Sequence, residues 1–207
     1  MNVDTVNVME DARPTRERLL AAARAILDER GLEGLSLREI AKRAEVSHAA
    51  PARHFPNLAS LLAAVAAEGF VELRKSVEEH VSDVTDTRGR IAAAGRGYVA
   101  FALANPGVFG LMFRPERYDT ADPAYVECGL AAFQQLVDLV ADAQRDGWRD
   151  THAALDVATV VWSAVHGMTQ LWLHGALQGA TGRSDLSPLH ALMTEVLLGP
   201  EPKRRRR

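Results

Sequence analysis

Apolar residues recur along almost the whole chain at the i, i+3, i+4, i+7 spacing of an amphipathic helix, while alternating runs bounded by turn residues are missing. The pattern predicts an all-α protein. A first helix begins near Thr15, carries Leu19, Leu20, Ala23, Ile26 and Leu27 as its apolar stripe, and stops at Gly31, a residue suited to a left-handed cap. Ser36-Leu37-Arg38-Glu39 is a capping box flanked by Leu35 and Ile40 at staple positions, and it opens a short second helix to about Ala44. Ser47 offers a new cap at once. A third helix therefore spans His48 to His54, with Pro51 at its fourth position, near the tolerated first turn. Asn57 caps a long helix through Leu61, Leu62, Val65, Phe70 and Leu73 to about Val81.

Ser82 to Thr87 is polar and reads as a linker. Helices follow over about Arg88 to Ala104, ended by Asn105-Pro106, and over Gly107 to Arg114. After a loop from Pro115 to Pro123, a longer helix runs from Ala124 to Asp146, with Phe133, Leu136, Val137 and Val140 on one face and Gly147 as its stop. The next, about Ala153 to Leu177, is apolar nearly all round, which implies contacts on more than one side. Gln178 to Asp185 reads as a Gly-containing loop. The last helix has Ser187 as cap, Pro188 at its first position and a stripe of Leu189, Leu192, Met193, Val196 and Leu197.

Composition narrows the class. A chain of 207 residues with 47% hydrophobic and 25% charged residues buries a sizeable core, which excludes disordered, collagen-like and disulfide-stapled scaffolds. Cys128 is the single cysteine, so a reducing compartment is expected. The first twenty residues carry acids where a secretory signal needs a basic region and an apolar core. The most apolar stretch, Leu155 to Leu173, holds Asp156, His166 and Gln170 and reads as a buried helix rather than a membrane span. A cytoplasmic location with no membrane partner is expected. The net charge of −3 argues at first against nucleic acid. Divided along the chain, the charge reads differently: residues 61 to 202 hold ten bases and eighteen acids, whereas Arg13 to Ser60 holds nine bases and six acids, and Lys203 to Arg207 is wholly basic. A small basic head rides on an acidic body.

Two short helices separated by a tight turn and braced by the first and fourth helices have the geometry that places a second helix in a DNA major groove. Ser36 and Ser47, at helix starts, bring hydroxyls and free N–H groups to phosphates, and Arg38, Lys42, Arg43 and Arg53 add cations. Gly34 to Ala41, Val46-Ser47, His54-Phe55-Pro56-Asn57 and Leu61 to Val65 together resemble the DNA-binding domain of TetR-type transcriptional regulators, over Thr15 to about Val71. Trp162-Ser163-Ala164-Val165-His166-Gly167, with Tyr98 to Pro106 upstream, resembles the Trp-x-x-x-His-Gly subgroup of regulatory domains. The resemblance implies a disordered arm over residues 1–14, a helix-turn-helix domain over 15–57 with a linking helix over 57–82, a regulatory domain over 83–199 and a basic tail over 200–207.

Carried over position by position, the resemblance implies that Arg38 reaches a base edge, where arginine suits guanine. It also implies that His48 and Ala49 open the recognition helix, that Arg53 lies one turn later, and that Ser36, Ser47 and His54 touch phosphates. Three positions depart from the family pattern: Glu45 replaces the glycine of the turn, Ala52 the aromatic of the third helix, and Leu58 the lysine opening the fourth. Two phosphate contacts are thereby lost and a carboxylate lies near the DNA backbone, so operator binding is expected to be weaker or more salt-sensitive. Plainer readings stand beside these. Serines cap helices with or without DNA, arginines solvate exposed faces, and His54 has the fourth helix to pack against.

For the body, the resemblance implies a ligand pocket and a two-fold interface made by the last two helices. Leu189, Leu192, Met193, Val196 and Leu197 are the interface candidates, with an intramolecular core as the competing reading. Trp162, His166 and Gln170 fall on one helix face, and Phe101, Phe109, Met112 and Phe113 come from preceding helices to complete an apolar ligand site. The same set at helical spacing also describes ordinary core. The phosphate-binding, HExxH and GxSxG motifs of common enzymes are missing, and neither catalytic residues, a metal site nor a cofactor is expected. The expected function is a one-component regulator, a repressor, in which a homodimer binds a palindromic double-stranded operator and a small-molecule effector releases it. The alternative is a helical ligand-binding or adaptor protein whose head no longer binds DNA.

Overall fold

The computed structural model describes residues 14–199; the proposed N-terminal arm, apart from Pro14, and the basic tail lie outside this range. Ten α-helices follow one another: α1 Thr15–Arg30, α2 Leu37–Arg43, α3 Ala50–His54, α4 Leu58–Val81, α5 Thr87–Ala104, α6 Pro106–Met112, α7 Pro123–Arg145, α8 Ala154–Leu173, α9 Ala176–Thr181 and α10 Ser187–Leu198. No strand occurs among the described residues. The expected all-α architecture, with an N-terminal helix-turn-helix followed by a helical body, is what the chain adopts.

Several helix starts are made by the residues that the sequence marks. Ser36 Oγ accepts from Glu39 N at 3.1 Å, and Asn57 Oδ1 accepts from Ser60 N at 2.9 Å. The Glu39 carboxylate pairs with Arg30 at 3.5 Å. Asp86 and Asp122 cap α5 and α7 in the same way. Each side-chain oxygen satisfies a backbone donor that a helix N-terminus otherwise leaves unpaired.

Three boundaries differ from expectation. Helix α3 starts at Ala50 rather than His48. A helix capped by Ser47 would set Pro51 where the first ladder N–H is required, and proline has none. Instead Ala50 N closes a turn onto Ser47 O at 2.9 Å, and Pro51 falls in the first turn, where no donor is needed. The long apolar helix is broken: Gly175 takes φ 76° and ψ 0°, which ends α8 and starts α9, so part of the expected loop is helical. Ser187 is the first residue of α10 rather than its cap. Its N–H and hydroxyl both donate to Asp185 Oδ1, at 2.9 and 2.8 Å.

Helices α1, α2, α3 and the start of α4 enclose Leu19, Leu20, Ala23, Ile26, Ile40, Phe55, Leu61 and Val65 in the head's core. Helix α4 then continues into the body, where it packs on α5, α6 and α7. Head and body are joined by a second contact. The start of α6 presses on α1 so closely that a Cβ on Gly107 would lie 2.7 Å from Asp28 Oδ1 and 2.7 Å from the Leu27 carbonyl carbon, which requires glycine. Asp28 Oδ1 accepts from Gly107 N there at 3.2 Å, and Arg24 binds Glu72 of α4 through both guanidinium branches.

Candidate DNA-reading head and ligand cavity

The turn between α2 and α3 is built on Glu45, whose φ of 53° lies in the left-handed region. Val46 N donates to Ala41 O at 3.0 Å and Glu45 N to Lys42 O at 3.1 Å, the paired bonds of a Schellman stop with Glu45 at its left-handed position. Arg18 of α1 donates to the Glu45 carbonyl at 3.3 Å and braces the turn. Around it, Ser36, Arg38, Ser47, His48, Ala49, Arg53 and His54 are all exposed. Arg43 is committed to Glu29 by a bidentate ion pair, whereas Arg38, Lys42 and Arg53 form no ion pair among the described residues. These three cations are therefore available to phosphates or bases. Ala52 is exposed, and Leu58 is half-buried against the core.

The body contains a cavity of about 500 Å³ between α4, α5, α6, α7, α8 and α10. Met112, Phe113 and Trp162 line it as expected. Phe101, Phe109, His166 and Gln170 do not: Phe101 and Phe109 are buried in the core, and Gln170 lies further along α8. The reason is visible at His166. Trp162 Nε1 donates to the Tyr98 hydroxyl at 3.4 Å, leaving the hydroxyl proton for His166 Nδ1 at 2.7 Å. Burial lowers the imidazole pKa, in keeping with a neutral ring that accepts at Nδ1, and burial raises the Tyr98 phenol. Phe113 meets the imidazole edge-on, with centroids 4.4 Å apart. His166 is thus a satisfied histidine that, from behind the cavity wall, holds the wall residues Tyr98 and Trp162 in place.

Much of the wall comes from residues that periodicity places on apolar helix faces, Phe70 and Leu73 of α4 and Phe133 and Leu136 of α7, joined by Val77 and Tyr125. Helix α10 adds Met193 and Leu197, two of the interface candidates, together with His190 and Thr194. A histidine and a threonine one turn apart beside the apolar stripe of this helix were the available signal. The remaining interface candidates point elsewhere: Leu189 is half-buried, while Leu192 and Val196 are 55% and 71% exposed. On α8, Val160 and Leu171 are likewise exposed, at 60% and 50%.

Among the described residues no group of acidic, histidine or cysteine side chains is placed to hold a metal ion, and no helix is long and apolar enough to cross a membrane. Residues 19–65 match the family model for bacterial regulatory proteins, tetR family, and residues 91–197 match that for the tetracyclin repressor-like C-terminal domain. The chain is 30% identical over 97 residues to the uncharacterized HTH-type transcriptional regulator YobS of Bacillus subtilis (strain 168), a match covering 46% of this chain and about half, 49%, of that protein. It is similar to a solved protein of unknown function from Rhodococcus sp. RHA1, with 32% identity, a TM-score of 0.80, and 92% and 97% of the two chains covered. The transcriptional regulator FadR of Bacillus subtilis, solved in complex with stearoyl-CoA, shares the fold with 12% identity, a TM-score of 0.65, and 88% and 97% coverage. Head, body and their order all agree: the chain belongs to the TetR family of transcriptional regulators.

Proposed function

We propose that the protein is a one-component cytoplasmic repressor, a homodimer that binds a palindromic operator and is released by a small-molecule effector. Residues 15–57 with the linking helix 57–82 form the DNA-binding unit in this reading, and residues 83–199 the regulatory unit. One observation carries it. The single helix α4 has Leu61, Leu62 and Val65 in the head's core and Phe70, Leu73 and Val77 in the cavity wall, so whatever fills the cavity acts on the element that holds the head. Release requires the effector to favour the conformation that does not bind DNA.

Exposed Arg38, His48, Ala49 and Arg53 support a reading surface, with Ser36, Ser47 and His54 as phosphate contacts. For the dimer, Val160 and Leu171 of α8 and Leu189, Leu192 and Val196 of α10 are the interface, while Met193 and Leu197 serve the cavity. Gly167 supports this. A Cβ there meets nothing within 4 Å in its own chain, yet glycine inside a helix costs about 1 kcal/mol relative to alanine, which fits the close approach of a second copy.

A gel shift with the DNA flanking the protein's own gene, repeated at two salt concentrations, tests the reading. A shift that weakens steeply with salt is expected, because the remaining contacts are mostly ionic. No shift at low salt overturns it in favour of the ligand-binding or adaptor protein with a degenerate head, for which Glu45, Ala52 and Leu58 are the motive.

A further inference from the structure

The chemistry of the cavity wall narrows the ligand more than the volume does. Among the described residues that line the cavity, none is an arginine, lysine, aspartate or glutamate. An ion placed there loses its hydration with no opposite charge to replace it, a cost that the burial of its apolar part does not offset.

The polar groups on the wall are also largely committed. The Tyr98 hydroxyl serves Trp162 and His166, the Tyr125 and Tyr118 hydroxyls share a 3.0 Å hydrogen bond, and Gln135 donates to Arg74 O at 3.3 Å. Two are left, His190 and Thr194, one turn apart on α10. His190 is only 6% exposed, and its Nε2 is buried with no hydrogen-bond partner. The ring edge lies on Gly95, itself part of the wall, so closely that a Cβ there would come within 2.7 Å of Nε2. Burial, with Arg96 nearby, lowers the His190 pKa, so the ring is neutral near pH 7 and offers one donor and one acceptor. On the far side of His190, a groove between α5 and α10 holds Arg88 and Arg96 balanced by Asp185 and Glu195. That groove offers no net charge to an acidic head.

We propose that the cavity takes an uncharged, largely aliphatic molecule with a single hydrogen-bonding head, such as a long-chain alcohol or ketone, its head set against His190 and Thr194. This rests on the effector reading above and names the effector's chemical class. The volume of about 500 Å³ lies within the usual range for small-ligand sites, and Val126 and Leu130 continue the apolar wall to the exposed side of α7.

The test titrates the full chain with 1-decanol, decanoate and decyltrimethylammonium at pH 7.5, read by calorimetry and by tryptophan fluorescence, to which Trp162 in the wall contributes. Decanol is expected to bind at least tenfold more tightly than either ion. His190→Leu and Thr194→Val are each expected to weaken decanol by roughly fivefold to tenfold, the scale of one lost hydrogen bond, with thermal unfolding recorded to show that each variant is folded. An ion that binds as tightly as decanol overturns the proposal, as does the failure of all three probes to bind. Decanol affinity unchanged in both variants overturns the placement of the head. A gel shift on the ligand-free protein is run in parallel. Operator binding without probe binding sinks this ligand class and leaves the repressor standing, whereas probe binding without operator binding does the reverse.

Discussion

At the scale of single residues, the turn of the head contains one strained position and the body one buried polar cluster. Glu45 occupies a left-handed conformation that costs a side-chain-bearing residue about 1–2 kcal/mol, against about 0.5–1 kcal/mol for the extra chain entropy of glycine. Glu45→Gly is therefore expected to stabilise the protein by about 0.5–1 kcal/mol, seen in urea as a higher midpoint at unchanged slope. Tyr98→Phe strips His166 Nδ1 and Trp162 Nε1 of their shared partner and is expected to cost about 1–3 kcal/mol. The same histidine sets a pH dependence. His166 and His190 both have folded-state pKa values below the ordinary 6.5, so near and below that pH the unfolded chain binds more protons than the folded one. Stability then falls on acidification from pH 7.5 to 5.5. Glu68, whose pKa burial raises, opposes this between 4.5 and its folded value. NMR titration of the imidazole protons, with both residues titrating below 6.5, checks the sign.

At the scale of elements, what the sequence disclosed and what it hid follow from the same physics. Caps are local, so Ser36, Asn57 and the stop at Gly31 were legible residue by residue. The break at Gly175 was masked because apolar residues continue past it to Leu177 and preserve the helical period. The candidate DNA-contact positions could be named because they lie on, or directly before, the two short neighbouring helices α2 and α3, although His48 and Ala49 precede α3 rather than open it. The cavity was legible only in part: periodicity tells which face of a helix is buried, not what it faces, and six helices contribute to this wall. Hence Met193 and Leu197 read as interface, and His190 passed unnoticed beside Leu189. Helices α3 and α4 also carry two of the head's departures from the family pattern, Ala52 and Leu58, where the resemblance implies phosphate contacts. Restoring them with Ala52→Tyr and Leu58→Lys is expected to tighten operator binding and change its salt slope; an unaltered affinity and slope in gel shifts would count against a phosphate role for both sites.

At the scale of the whole molecule, the exposed apolar residues of α8 and α10 are the proposed site of assembly. Val196→Glu sets a charge in the middle of the proposed dimer contact, and sedimentation is expected to show monomers that bind the operator far more weakly, since two heads together read a palindrome. A dimer that survives the substitution places the interface elsewhere. Helix α4 would give the proposed assembly its gain. Its 24 residues make a rod about 36 Å long, at ~1.5 Å per residue, anchored in the cavity wall towards one end and in the head at the other. A tilt of about 5° about the cavity end swings the far end by about 3 Å; in the proposed dimer, a rearrangement of a single side chain around a bound molecule would thereby become a mis-spacing of the two recognition helices on a DNA repeat of about 34 Å. The sensitivity of such a regulator is set by the length of a lever arm as much as by the tightness of its pocket.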